Sequence, residues 1–136
     1  MYLSNIKSVT AHPKIDEINK HLYLYTYNNY DFQKGIFFYN VLDSNMKIMK
    51  QLNYTLLNNG IIHDIGQTKN HFIIHDLPLK YNFHLILHNK LPLKFNINGT
   101  SRFGVINKNK PENIECFYLK TNLFLFHFSK AIETKN

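Results

Sequence analysis

The sequence is short of the residues that staple, coil or anchor a chain. It has one cysteine, Cys116, and no tryptophan. No disulfide can close within it, and no zinc site can be assembled from thiolates. A reducing, cytoplasmic setting is the expectation that follows. Alanine occurs only at Ala11 and Ala131, which removes the strongest helix former. No apolar run approaches the ~20 residues that cross a bilayer. The opening residues, MYLSNIKSVTAHPK, contain no apolar stretch of the kind a secretion signal needs. Arginine is nearly missing as well: Arg102 stands alone against fifteen lysines. The formal net charge of +7 raises the question of nucleic acid or an anionic membrane surface. The lysines are scattered, however, with no basic run of five. A solvated surface is therefore the stronger reading, and no nucleic-acid partner is expected.

What is present is aromatic and apolar. Nine Tyr and eleven Phe stand among 44% hydrophobic residues, a composition that excludes a disordered tail and favours strands. The pattern predicts about nine short strands. The first three, His21–Tyr27, Gly35–Asp43 and Met46–Leu56, read as a meander, with Asp43-Ser44-Asn45 as hairpin chemistry between the last two. Asn58-Asn59-Gly60 is a second turn signal. Gly60–Gly66, His71–Leu79, His84–His88, Arg102–Lys108, Glu115–Lys120 and Phe124–Ile132 complete the set. No segment shows a sustained helical period, so the expected class is an all-β sandwich, barrel or propeller.

Three short motifs carry a histidine each. They are Thr10-Ala11-His12-Pro13-Lys14-Ile15-Asp16, then Ile62-His63-Asp64-Ile65-Gly66-Gln67-Thr68, then Phe126-His127-Phe128-Ser129-Lys130-Ala131-Ile132-Glu133. The gaps between the histidines, 51 and 64 residues, are compatible with the ~40–50 residues of one four-stranded propeller blade plus loop insertions. Inner strands of successive blades could then bring the three imidazoles to one point on a central axis. His12 precedes Pro13, whose ring pushes His12 into extended backbone. Between the second and third motifs lie Asp76-Leu77-Pro78-Leu79 and Arg102-Phe103-Gly104-Val105.

In that order, from about Val9 to Glu133, these motifs resemble those of the carotenoid cleavage oxygenases. That family includes carotenoid dioxygenases, stilbene-cleaving dioxygenases and the retinal isomerohydrolase. The resemblance implies a partial seven-bladed β-propeller of about three blades, with residues 1–136 a fragment of the propeller domain. It implies Fe(II) as cofactor and His12, His63 and His127 as three of the family's four histidine ligands. The fourth ligand and the glutamates that orient the imidazoles fall outside the matched motifs. It further implies an apolar conjugated substrate, carotenoid, apocarotenoid or stilbene, cleaved with dioxygen. Peripheral membrane contact, self-association or a missing complementary chain are the partners it leaves open. Two departures stand out: Lys130 replaces an Asn of the third motif, and Lys108 replaces the Arg that closes the Arg-Phe-Gly-Val motif. Two other readings remain beside this one: a non-catalytic remnant of the same fold, and a small basic β-rich module that binds nucleic acid. His21, His71, His75, His84 and His88 have no motif around them and read as structural, as do Asp76 (a turn cap near Pro78), Gly104 (close packing) and Glu133.

Overall fold

A computed structural model describes residues 11–27 and 35–134. Thr10, which opens the first histidine motif, lies outside the described residues. The first sheet is an antiparallel meander, β1 (Lys14–Asp16), β2 (His21–Tyr27), β3 (Gly35–Leu42) and β4 (Ile48–Leu56), in which spatial order equals chain order. Alternation builds it. Tyr25 pairs with Tyr39 and Phe37 with Tyr54 across neighbouring strands, so every second residue falls on one face and these aromatics share it. A bulge between Val41 and Leu42 shifts the register, and Leu42 joins Leu24 and Ile48 in a small cluster of their own. The Asp43 turn forms as its composition suggests. The Asp43 carboxylate accepts the Asn45 and Lys47 backbone N–H groups, and Met46 takes a left-handed φ of 62°.

The second sheet has the order β10-β9-β6-β5. Its strands are β5 (Gly66–Gln67), β6 (His71–Asp76), β9 (Arg102–Asn107) and β10 (Ile114–Tyr118). β6 and β9 pair antiparallel across an intervening excursion: a two-stranded ribbon of β7 (Leu79–Tyr81) and β8 (Leu93–Phe95), with a short 3₁₀ helix, Phe83–His88, at its tip. The tip is apolar and uncovered, since Phe83, Ile86, Leu87 and Leu91 are all exposed.

The core lies between the two four-stranded sheets. Tyr23, Tyr25, Phe37, Tyr39 and Tyr54 come from the first; Phe72, Ile74 and Ile106 come from the second; Ile62 and Ile65 come from the segment leading into β5. Phe72 is the hinge of this packing, with its ring 4.7 Å from that of Tyr23 and 5.5 Å from that of Tyr39. Each such side chain contributes about 1.5–3 kcal/mol by leaving water. Burial raises the Tyr54 phenol to about 12, and its hydroxyl donates to the Pro111 carbonyl. Gly104 lies where any Cβ would overlap Ile114, so its role in close packing is as the sequence suggests.

An all-β class with antiparallel sheets is what the sequence predicts, and β2, β3, β4, β6, β9 and β10 fall within a few residues of the predicted strands. Three predicted strands differ. His84–His88 is 3₁₀ helix, closed by Asn89 at a left-handed φ of 54°. Residues 60–65 and 123–132 have no strand. Several of their backbone groups are met by side chains instead: the His63 carbonyl accepts the Tyr25 hydroxyl, and Asp64 accepts the N–H groups of Ile65 and Phe128, while the Ile61 N–H donates to the Leu79 carbonyl. A ladder is not needed where backbone partners are supplied in this way. Asp76 caps a turn, but not the one at Pro78. Its buried carboxylate accepts the Leu57 and Asn58 N–H groups and the Arg102 Nε, tying the end of β4 to the second sheet.

Candidate metal centre

All three motif histidines lie just outside regular strands. His12 lies two residues before β1, His63 lies in the strandless segment before β5, and His127 lies in the strandless tail after β10. They do not project from inner strands, as blade spacing suggested, but they converge. Nε2 of His12 lies 3.2 Å from Nε2 of His63 and 3.3 Å from Nε2 of His127. The ring centroids of the three are 4.9–5.0 Å apart, pairwise edge to face. One nitrogen from each ring falls within 4.8 Å of the other two.

These separations fit a shared ion. Imidazole nitrogens sit about 2.0–2.1 Å from a metal, and two of them meeting one ion at angles of about 100° are themselves about 3.2 Å apart. The donor set is three neutral nitrogens, which suits a divalent first-row transition metal. Burial and the neighbouring His12 and His127 rings lower the His63 pKa, which disfavours the doubly protonated ring that has no lone pair for an ion. Phe126 stands edge-on to His63 at 5.9 Å.

A carboxylate missed at the level of sequence lies beneath this cluster. Asp64 is nearly buried and accepts from Lys14 Nζ at 2.7 Å, from the Ile65 N–H at 2.8 Å and from the Phe128 N–H at 3.1 Å. Burial pushes its pKa up, but the Lys14 ammonium and the two backbone N–H groups outweigh burial and hold it below the usual value. Its position directly after His63 was the one available signal.

The tail is fastened at its far end too. Glu133 accepts from the Thr68 hydroxyl, the Asn70 N–H and side-chain amide, and His71 Nδ1. These bonds, the Thr68 hydroxyl first, hold Glu133 down at about 2. Between the two anchors Phe128 and Ala131 press on Gly66, where an added Cβ would lie 3.2 Å from the Phe128 ring. Beneath Phe128 is His75, fully buried, with neither ring nitrogen hydrogen-bonded. Burial lowers its pKa to about 4. Lys108, the replacement for the motif arginine, donates to the Thr68 carbonyl and lies 4.7 Å over the Phe72 ring. A separate cleft beside β1, lined by Asp16, His21, Tyr23, Asn70 and Lys108 among others, includes none of the three converging histidines.

A trihistidine cluster on the margin of antiparallel blade-like sheets defines the class: a β-propeller fragment with three imidazoles placed where they could hold one ion. Comparison with known proteins makes it specific. Residues 2–136 match the family model described as retinal pigment epithelial membrane protein, and the chain belongs to that family, the one to which the carotenoid and stilbene oxygenases belong. It is 27% identical over 128 residues to a carotenoid 9,10(9',10')-cleavage dioxygenase of Crocus sativus, covering 93% of this chain and 23% of the relative. It is 28% identical over 130 residues to carotenoid 9,10(9',10')-cleavage dioxygenase 1 of Pisum sativum, with the same two coverages. The chain thus spans about a quarter of the length of these curated relatives. Among solved structures, cobalt-substituted Synechocystis ACO superposes with a TM-score of 0.75 at 16% identity, over 96% of this chain and 29% of that one. The lignostilbene dioxygenase of Pseudomonas brassicacearum superposes with a TM-score of 0.67 at 18% identity, over 82% of this chain and 23% of that one. The propeller-type fold, over part of its length, is what these likenesses establish.

Proposed function

We propose that residues 1–136 are part of a β-propeller domain whose trihistidine cluster, His12, His63 and His127, holds Fe(II) in a dioxygenase for apolar conjugated substrates. One observation supports this reading above the others: three imidazoles from motifs 51 and 64 residues apart meet with nitrogen separations suited to one ion. When bound, the iron would supply the chemistry with dioxygen that splits a carotenoid, apocarotenoid or stilbene double bond into two carbonyl products. The residues do the rest. Three neutral rings add no negative charge, so an ion they hold keeps its full positive charge. The lowered pKa of His63 keeps its lone pair free of a competing proton. Phe126 packs edge-on against His63 and lends that ring an apolar neighbour.

The exposure of His127 favours a second statement: this chain alone does not turn over substrate at a useful rate, because the cluster is open on one side and water is poorly excluded. The apolar tip at Phe83, Ile86, Leu87 and Leu91 supports contact with a membrane surface or with a complementary chain. Among the described residues no helix is long and apolar enough to cross a membrane. The free thiol of Cys116 suits a cytoplasmic setting.

The test is Fe(II) loading without oxygen, followed by dioxygen and a panel of carotenoids and stilbenes. One iron per chain is expected, abolished by His63→Ala, with no sustained formation of aldehyde products. Iron binding unchanged by His63→Ala would overturn the trihistidine assignment. Multiple turnovers by the purified chain would overturn the statement that it does not turn over substrate alone.

A further inference from the structure

The three ligand-bearing segments share a problem that sheets do not have. No strand runs through His12, His63 or His127, so no ladder of backbone hydrogen bonds fixes where each ring points. A cluster of this kind needs its imidazoles held to within about 0.5 Å. Something else must set the distances between segments far apart in the chain.

We infer that the Asp64 carboxylate is the positioning residue for the whole cluster, binding one element of each histidine segment. This rests on the trihistidine reading and deepens it. Asp64 directly follows His63. Its Oδ1 accepts from Lys14 Nζ, two residues beyond His12, at 2.7 Å. Its Oδ2 accepts from the N–H of Phe128, one residue beyond His127, at 3.1 Å. A single side chain therefore lies within two residues of all three rings and contacts the two segments other than its own. Both contacts are charge-assisted: an ammonium on one oxygen, and a backbone amide donating to a carboxylate on the other. They are also sheltered, with the Asp64 side chain 5% and the Lys14 side chain 23% exposed, so screening is weaker than for a surface pair. Asp64 does not reach the metal position itself, since it is not among the three residues whose ligand atoms cluster. It acts through the backbone and through Lys14. The Tyr25 hydroxyl, donating to the His63 carbonyl at 3.0 Å, braces the same segment from the side of the first sheet.

The arrangement makes a specific demand on chemistry. Asparagine at position 64 keeps size and one acceptor oxygen, but it loses the charge that holds Lys14 and offers an amide in place of the second oxygen. It can hold the first segment or the third, but not both well.

Co(II) alone is the probe, because its visible d–d bands report ligand number and geometry. Titrations compare the parent chain with Asp64→Asn, Lys14→Met, Lys14→Arg and His63→Ala, with circular dichroism to report folding. Orienting groups next to ligands typically govern about 10–100-fold in metal affinity. Asp64→Asn is expected to weaken Co(II) binding by about that factor and to change the shape of the saturated spectrum per bound ion. A loss confined to folding would lower the amplitude and leave the shape unaltered. Lys14→Met is expected to follow Asp64→Asn in smaller measure, and Lys14→Arg to restore the parent spectrum, so the pair decides the question if Asp64→Asn does not fold. Affinity within twofold of the parent and an unaltered band shape in Asp64→Asn, or in Lys14→Met where Asp64→Asn does not fold, would overturn the inference. Co(II) binding that survives His63→Ala would instead remove the trihistidine centre on which it stands.

Discussion

The two four-stranded sheets reach the same architecture by different routes. In the first, each strand pairs with its chain neighbour, and the turn at Asp43 is written in local chemistry. In the second, β6 pairs with β9 across an excursion from Leu79 to Phe95, and its edge is completed by a two-residue strand. The first sheet is a local object that contributes His12 and Lys14 at its β1 edge and the Tyr25 brace to the site. The second receives His63 at its edge, the His127 tail over its outer face and the Asp76–Arg102 tie at its end. Side-chain hydrogen bonds brace the backbone where the three motif histidines converge, and ladders dominate where the chain buries aromatics.

The contrast can be broken most forcefully at Phe72, where the two sheets meet. Phe72→Ala removes a fully buried ring that touches Tyr23 and Tyr39, and is expected to cost about 3–5 kcal/mol. Typical domains hold only about 5–15 kcal/mol in total, so urea denaturation should show either a large fall in midpoint or no folded baseline. A midpoint near that of the parent would mean that the sheets are stable independently of one another.

A smaller effect separates the second sheet from the first by pH. His75 is buried neutral with a pKa near 4, whereas in the unfolded chain it takes a proton below its ordinary value of 6.5. The unfolded state therefore binds more protons between these values. Stability falls as pH drops from about 6.5 to 4 and levels off below, by about 3 kcal/mol in all. His75→Met fills similar volume without two unpaired nitrogens, and is expected to remove most of that slope while raising stability at pH 7 as well. Urea midpoints at pH 7, 5.5 and 4 check this; an unchanged slope in the variant would show that other groups set the acid limit.

The smallest expected effect concerns the far anchor of the tail. Glu133 is depressed to about 2 by its donors, so its grip is complete above the ordinary carboxylate value of 4.5 and is lost as pH falls toward 2. Glu133→Gln should speed hydrogen exchange at the Asn70 amide, which donates to Glu133 at 2.8 Å, and leave amides in β3 and β4 unaltered. Equal acceleration in both places would mean that the tail supports the whole molecule rather than one loop.

Legibility followed the same division. His21–Tyr27 was readable because alternation and aromatic content both speak for a strand, and the observed β2 has those bounds. The three motif histidines were readable as a set because each sits in a motif, and the structure brings them together. Their backbone was not. Residues 60–65 and 124–132 are rich in Ile, Leu and Phe, and composition is blind to the fact that Asp64 and Tyr25 meet part of their backbone. His84–His88 misled for the opposite reason: an apolar run read as strand lies exposed at the tip of a ribbon, where a left-handed Asn89 closes a 3₁₀ turn. Asp64 itself was hidden, since nothing in a His-Asp pair reveals that donors from positions 14 and 128 will meet it.

The 115-residue separation between His12 and His127 also sets a schedule. A ribosome adding about 5–20 residues per second delivers the third imidazole some 6–23 s after the first. Until then the nascent chain can offer an ion two nitrogens at most, from segments with no Phe128 amide to complete the junction. If the cluster holds an ion as proposed, metal acquisition comes late in synthesis, after the first sheet has had time to close its hairpins. An early, loosely held ion has ample opportunity to leave before the cluster can retain it.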